Sequence, residues 1–386
     1  VLAVPDRNEA PSTWLSGALT ACPTAFNAAE YCMGAGEPRK ADKDALIAVD
    51  VDHPAERRWS FADVERAVRS AAGALKAAGV GLGDRVVILL GDVPEFPFAY
   101  FGAIAAGGVA TPLSSQLSRA EIESIIQDAD PKVILTAGDI ELEPGAADQM
   151  NIETLLAGAP ADFADTAADD PALLVFTSGS SGRPKGVLHA HRAFWARQSM
   201  HEGWHGIGVD DRVMHAGAFN WTFTLGVGLT DTWSVGATAI LNAGSRAPQV
   251  WPQLVSQHQP TVFAAAPAVF RRVLKYGDEL DPAFASLRHA VTAGEKLSPA
   301  IAEAWRAQTA KPLLEALGMS EVSTYISTPP GREPVPDHVG WPQPGRRVAV
   351  LDADGDPVAR GIAGDLAVHS SDPGLMLGYW KAAELT

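Results

Sequence analysis

Residues 174–189 read Leu-Val-Phe-Thr-Ser-Gly-Ser-Ser-Gly-Arg-Pro-Lys-Gly-Val-Leu-His. An apolar run, Leu173 to Phe176, opens into ten residues, Thr177 to Gly186, with three glycines, four hydroxyl side chains and two cations. A strand that runs into such a loop can hold phosphate. Glycines let backbone N–H groups turn towards an anion. Thr177, Ser178, Ser180 and Ser181 add donors, and Lys185 adds a compact positive charge. The nucleotide-triphosphatase pattern Gly-x4-Gly-Lys-Ser/Thr does not fit. Counting from Gly179, Pro184 stands where the second glycine belongs and Gly186 where the hydroxyl belongs. Proline has no backbone N–H to donate.

Further segments extend the reading. Ala293-Gly-Glu-Lys-Leu-Ser298, Gly318-Met-Ser-Glu321 and Gly364-Asp-Leu-Ala-Val368 follow in order, flanked by Trp59-Ser-Phe61 and Gly378-Tyr-Trp380. Together with Thr177–Gly186 they resemble the motifs of the adenylate-forming enzymes, the family of acyl- and aryl-CoA synthetases, firefly luciferase and peptide-synthetase adenylation domains. The resemblance spans about residues 25–386. Two departures stand out: Leu317 where the family has Tyr, and Ser320 where it has Thr.

The bulk numbers agree with a globular enzyme. With 386 residues and 47% hydrophobic content the chain can bury a large core in two or three units. A formal charge of −16 argues against nucleic acid or an anionic membrane surface as a partner. Cys22 and Cys32, the only cysteines, make neither a disulfide framework nor a zinc site, which suits a reducing, cytoplasmic setting. The longest uncharged stretch, Phe96 to Leu117, contains Pro97 and Pro112 and reads as a buried helix and turn rather than a membrane span. A homodimer is left open.

Periodicity predicts helices over 62–79, 95–106 and 121–127, alternating with strands at 86–90 and 132–136. After the acidic, alanine-rich stretch 160–170 the alternation restarts. Strands are expected at 173–176, 213–215, 238–241, 261–265 and 289–292, and helices at 193–203, 248–258, 267–276 and 299–308. This is the pattern of parallel sheets with helices on both faces. From about Pro329 prolines and glycines thicken, and Val348–Leu351, the turn Asp354-Gly355 and 365–369 suggest antiparallel hairpins. The fold class expected is α/β: two packed doubly wound sheets with flanking helices plus, as the resemblance implies, a small distorted barrel. The division expected is 1–165, 166–328 and 329–386. Family members continue further, with a ribose-binding Asp, a hinge and a C-terminal lid bearing a catalytic Lys. None has a counterpart here, so the chain reads as a piece of a longer protein.

The resemblance implies that a carboxylate attacks the α-phosphorus of ATP, expels pyrophosphate, and passes its acyl group to coenzyme A. An ionised carboxylate needs no protein base. It needs charge neutralisation and alignment. The implied phosphate holders are Thr177, Ser178, Gly179, Ser180, Ser181, Gly182 and Lys185. Ser320 would donate to the α-phosphate and Glu321 would hold Mg²⁺. Gly294, Glu295, Lys296, Leu317, Gly318 and Met319 fall on the adenine side. For the acid, Phe219, Asn220 and Trp221 are the candidates, with Ala293 and Met319 as opposing walls. Phe219 and Trp221 read equally well as core. An apolar pocket there favours an aromatic or medium-chain aliphatic acid. Transfer to a carrier protein, and a non-catalytic nucleotide- or acyl-binding homologue, are the alternatives. Histidines 189, 191, 201, 205 and 215 cluster in sequence, yet their spacing fits no zinc pattern; His191 is a possible pyrophosphate contact.

Overall fold

The computed structural model describes residues 13–15, 19–34, 41–52, 56–138, 147–177, 184–277, 280–335 and 337–386. The decisive strand, Pro171–Thr177, does not lead into a helix. It pairs antiparallel with Lys185–Ala190, Thr177 opposite Lys185, so the two strands form a hairpin. On its other side it continues a parallel ladder through Val109–Pro112, Arg85–Leu89, Val133–Thr136 and Asp148–Asn151. The short strand Gly378–Tyr379 closes the hairpin's outer edge. These segments form one seven-stranded sheet.

A nine-stranded sheet stands beside it. Its parallel centre runs through Leu313–Met319, His289–Ala293, Val262–Ala264, Arg212–His215, Thr238–Asn242 and Asp44–Val49. Antiparallel strands Arg57–Ser60 on one side, and Ser323–Ser327 with Trp341–Pro342 on the other, complete it. The parallel strands are runs of Val, Ile, Leu and Ala, as expected where both faces are covered. Helices Phe61–Ala77 and Arg119–Ala129 each start at a reciprocal cap, Ser60 with Asp63 and Ser118 with Glu121. Helix Phe96–Ala105 is buried at every residue. One hydrophobic cluster takes Val86 and Ile88 from the first sheet, Leu46 and Leu241 from the second, and residues of helices Phe61–Ala77 and Phe96–Ala105, so the two sheets share a core.

Sheet membership crosses the expected boundary at residue 165. Asp44–Val49 and Arg57–Ser60 belong to the later sheet, and 171–190 to the earlier one. Where a small barrel was expected, the described residues form a three-stranded antiparallel sheet of Thr13–Leu15, Arg347–Leu351 and Asp365–Val368. The helix expected over 193–203 is corrected to a short α-helix, Arg192–Ala196, and a separate π-helical turn, His201–His205. Gly203 packs so tightly against Pro344 that a Cβ there would lie 2.8 Å from it, and Gly206 takes φ +56°. The segment therefore bends to fit its neighbours rather than continuing.

Candidate active site

The hairpin brings Thr177 and Lys185 side by side, the Thr177 hydroxyl donating to the Lys185 carbonyl at 3.4 Å. Ser178, Gly179, Ser180, Ser181 and Gly182 lie outside the described residues. The Lys185 ammonium sits 5.5 Å from the ring centre of Tyr379, and the Tyr379 hydroxyl donates to Glu321 Oε1 at 2.6 Å. That bond to a carboxylate pushes the phenol up to about 12. Lys185 and Glu321, far apart in sequence, thus meet on one tyrosine that the motif reading treated only as a flank.

Ser320 and Glu321 are presented by a tight return between Leu313–Met319 and Ser323–Ser327. The register slips at Leu317/Gly318, and a Cβ on Gly318 would stand 2.6 Å from the Ser323 carbonyl oxygen. Only glycine permits that approach. The Ser320 carbonyl accepts from His189 Nε2 at 2.7 Å, which ties this return to the hairpin. Burial pushes His189 down to about 4, so it is neutral with the proton on Nε2.

A cavity of about 810 Å³ borders the strand that leads into this return, lined in part by Gly294, Glu295, Lys296, Leu317 and Gly318. The adenine-side residues nominated from sequence are therefore brought together, except Met319, which is 48% exposed. Leu317 also packs towards the cluster of Val322, Tyr325 and Val348. Glu315, not singled out in the sequence, lines the same cavity; its carboxylate accepts the Leu297 N–H at 2.7 Å, and burial raises its pKa.

On the acid side the nominated residues separate. Phe219 is buried and stacks on Phe96 at 5.3 Å in the shared core, its N–H donated to Asp92 at 2.7 Å. Trp221 stands edge-on to Phe223 at 5.2 Å and covers Gly294, where a Cβ would lie 2.5 Å from the indole. Ala293 is buried beside them, and Asn220 is half-buried. A second, smaller cavity of about 50 Å³ has Tyr100, His189, Arg197, Thr222, Ser320 and Ser323 in its wall. Beneath it Arg197 grips Asp231 through two bonds, 2.6 and 2.7 Å, and donates to Ser323 Oγ at 2.7 Å. Burial alone would raise the Asp231 carboxyl; the guanidinium instead holds it well below the usual carboxylate range. Tyr100, Arg197 and Thr222 carry no motif, and only the fold gathers them.

The model sequence of the AMP-binding enzymes matches residues 36–380. The chain belongs to this family. Among its relatives, the 3-hydroxybenzoate–CoA ligase of Aromatoleum sp. (strain CIB) is 29% identical over 384 residues, covering 94% of this chain and 72% of that protein. The benzoate–CoA ligase of Thauera aromatica is 27% identical, over 78% and 61%. In three dimensions the chain is similar to the anthranilate CoA ligase AuaEII in complex with anthranoyl-AMP, with a TM-score of 0.84 and 26% identity over 93% of this chain and 71% of that one.

Among the described residues of this family member, no group of histidine, cysteine, aspartate and glutamate has the arrangement of a resident metal site. The clustered histidines instead serve the backbone. Nδ1 of His191, His205 and His215 accepts from the N–H of Ala28, Ile207 and Gly217. His191 is wholly buried. Among the described residues no helix is long and apolar enough to cross a membrane.

Proposed function

We propose that this enzyme activates an aromatic carboxylic acid with MgATP as the acyl-adenylate and transfers the acyl group to coenzyme A. The observation that carries the reading is the convergence of Lys185 and Glu321 on Tyr379, beside the cavity lined by Gly294, Glu295 and Lys296. In the first step the carboxylate oxygen bonds to the α-phosphorus as the bond to pyrophosphate breaks. In the second the thiol sulfur bonds to the acyl carbon as AMP leaves. Lys185 and the hairpin donors would neutralise the departing phosphates, and the Ser320 hydroxyl would donate to the α-phosphate. Glu321 would hold Mg²⁺: its carboxylate is tied through Tyr379 to the Lys185 that would meet the phosphates. Trp221 and Gly294 would flank the adenylate on the acid side. Coenzyme A is favoured over a carrier protein because the similar proteins are named as CoA ligases. The acidic chain, with only two cysteines, suits the cytoplasm.

The test is pyrophosphate release by the full-length protein with MgATP across benzoate, substituted benzoates and C4–C10 acids, with and without coenzyme A. Release that depends on an aromatic acid and rises with coenzyme A is expected. Release that ignores coenzyme A, or silence across the panel, would refute the reading.

A further inference from the structure

The smaller cavity has a chemistry of its own. His189 spends its Nε2–H on the Ser320 carbonyl at 2.7 Å. A neutral imidazole carries one proton, so Nδ1 is left as a bare acceptor. That nitrogen is buried and has no hydrogen-bond partner among the described residues, and the whole residue is 6% exposed. A buried acceptor without a donor is uncommon in native proteins and asks for one. Opposite it, Arg197 is already committed to Asp231 and Ser323. The guanidinium charge is cancelled by its carboxylate, so the cavity offers no net charge to a second anion. One wall comes so close that a Cβ on Gly226 would fall 1.9 Å from Arg197 Nη2. The space, about 50 Å³, holds on the order of a few water-sized groups. That is too little for an aromatic acid and enough for one polar substituent of it. Its wall includes Ser320, beside Glu321, and Thr222, beside Trp221. It therefore adjoins both the phosphate-side and the acid-side residues.

We propose that the acid carries a hydrogen-donating ring substituent, a hydroxyl or an amino group, which enters this cavity and donates to His189 Nδ1. His189 is then a specificity-determining residue. A methoxy group has no proton to give, and an unsubstituted ring leaves the acceptor bare. A second carboxylate would meet an arginine whose charge is spent. This rests on the aryl–CoA ligase reading above and narrows its substrate class.

The experiment measures binding of inert adenylate analogues to the protein by calorimetry. The probes are the sulfamoyladenosines of benzoate, the three hydroxybenzoates, 2- and 3-aminobenzoate and the three methoxybenzoates. At least one hydroxyl or amino analogue should bind about tenfold or more tightly than both the benzoyl analogue and its methoxy counterpart, the worth of one buried hydrogen bond. In His189→Leu that ratio should fall to near one. His189→Gln, which keeps an N–H for Ser320 and supplies a carbonyl acceptor, should restore part of it. If His189→Leu does not fold, the comparison of the three analogue classes on the unaltered protein still decides. Equal binding of benzoyl and all donor-bearing analogues, or tightest binding by a methoxy analogue, overturns the proposal and leaves the ligase reading standing. Failure of every analogue to bind overturns the ligase reading itself, and the proposal with it.

Discussion

Asp231→Asn removes one charge from the Arg197–Asp231 pair while keeping the side chain's shape. The carboxylate is 0% exposed and the guanidinium 13%, so water cannot replace the lost partner. Leaving one member of a buried pair uncompensated costs about 3–5 kcal/mol. Unfolding entropy of about 2.1 cal/mol/K per residue gives roughly 0.8 kcal/mol/K for a chain this long. The melting temperature should therefore drop by about 4–6 °C. The double replacement Arg197→Met with Asp231→Leu removes both charges and should return to within about 1 kcal/mol of the parent, because desolvating an ion pair nearly cancels its attraction. Thermal scans at pH 7.5 and one scan rate, run on Asp231→Asn, on the singles Arg197→Met and Asp231→Leu and on the double, give the coupling directly. A double variant no more stable than Asp231→Asn would refute the electrostatic account and point to packing or to the Ser323 bond instead.

Three further outcomes are expected. Burial lowers His189, His191, His201 and His289 to about 4 and His215 to about 3, from an ordinary 6.5. The unfolded chain therefore binds more protons below pH 6.5, so the melting temperature should be level above that pH and fall steadily towards pH 4; equal melting at pH 5 and 7.5 would contradict it. Tyr379→Phe removes the 2.6 Å bond to Glu321, so the Mg²⁺ concentration that half-saturates nucleotide binding should fall by about tenfold, and an unchanged Mg²⁺ titration would show that the phenol does not compete. Gly294→Ala places a Cβ at φ +95° and 2.5 Å from Trp221; it should weaken adenylate-analogue binding by about tenfold or more, and unaltered affinity in calorimetry would remove Gly294 from the site.

The sequence was legible where local pattern carries the information. Val86–Leu90 and Lys132–Thr136 show their strands because a parallel strand is apolar on both faces. Periodicity alone passes over the caps Ser60 and Ser118, and so starts the later of the two helices at 121 instead of Arg119. The glycine and hydroxyl run announced the loop, but not that Lys185–Ala190 folds back beside Pro171–Thr177, since pairing is not written in either strand alone. Phe219 shows the limit on the acid side: an aromatic in an apolar run reads alike as pocket wall or core, and its partner Phe96 lies over a hundred residues away. Tyr379 and Glu321, or His189 and Ser320, meet only after both sheets are built, and no spacing rule forecasts such encounters.

The placement of Asp44–Val49 has a consequence for how the chain is made. Its neighbour in the nine-stranded sheet, Thr238–Asn242, is synthesised about 190 residues later, a delay on the order of 10–40 s at ribosomal speed. Through that interval Leu46-Ile-Ala-Val49, fully buried in the finished protein, emerges with one edge covered by Arg57–Ser60 at most. A nascent chain in that state presents a sticky ribbon to every other nascent chain nearby. The earlier half of this enzyme should depend on chaperone capture, or on slow translation, until its late partner strand arrives.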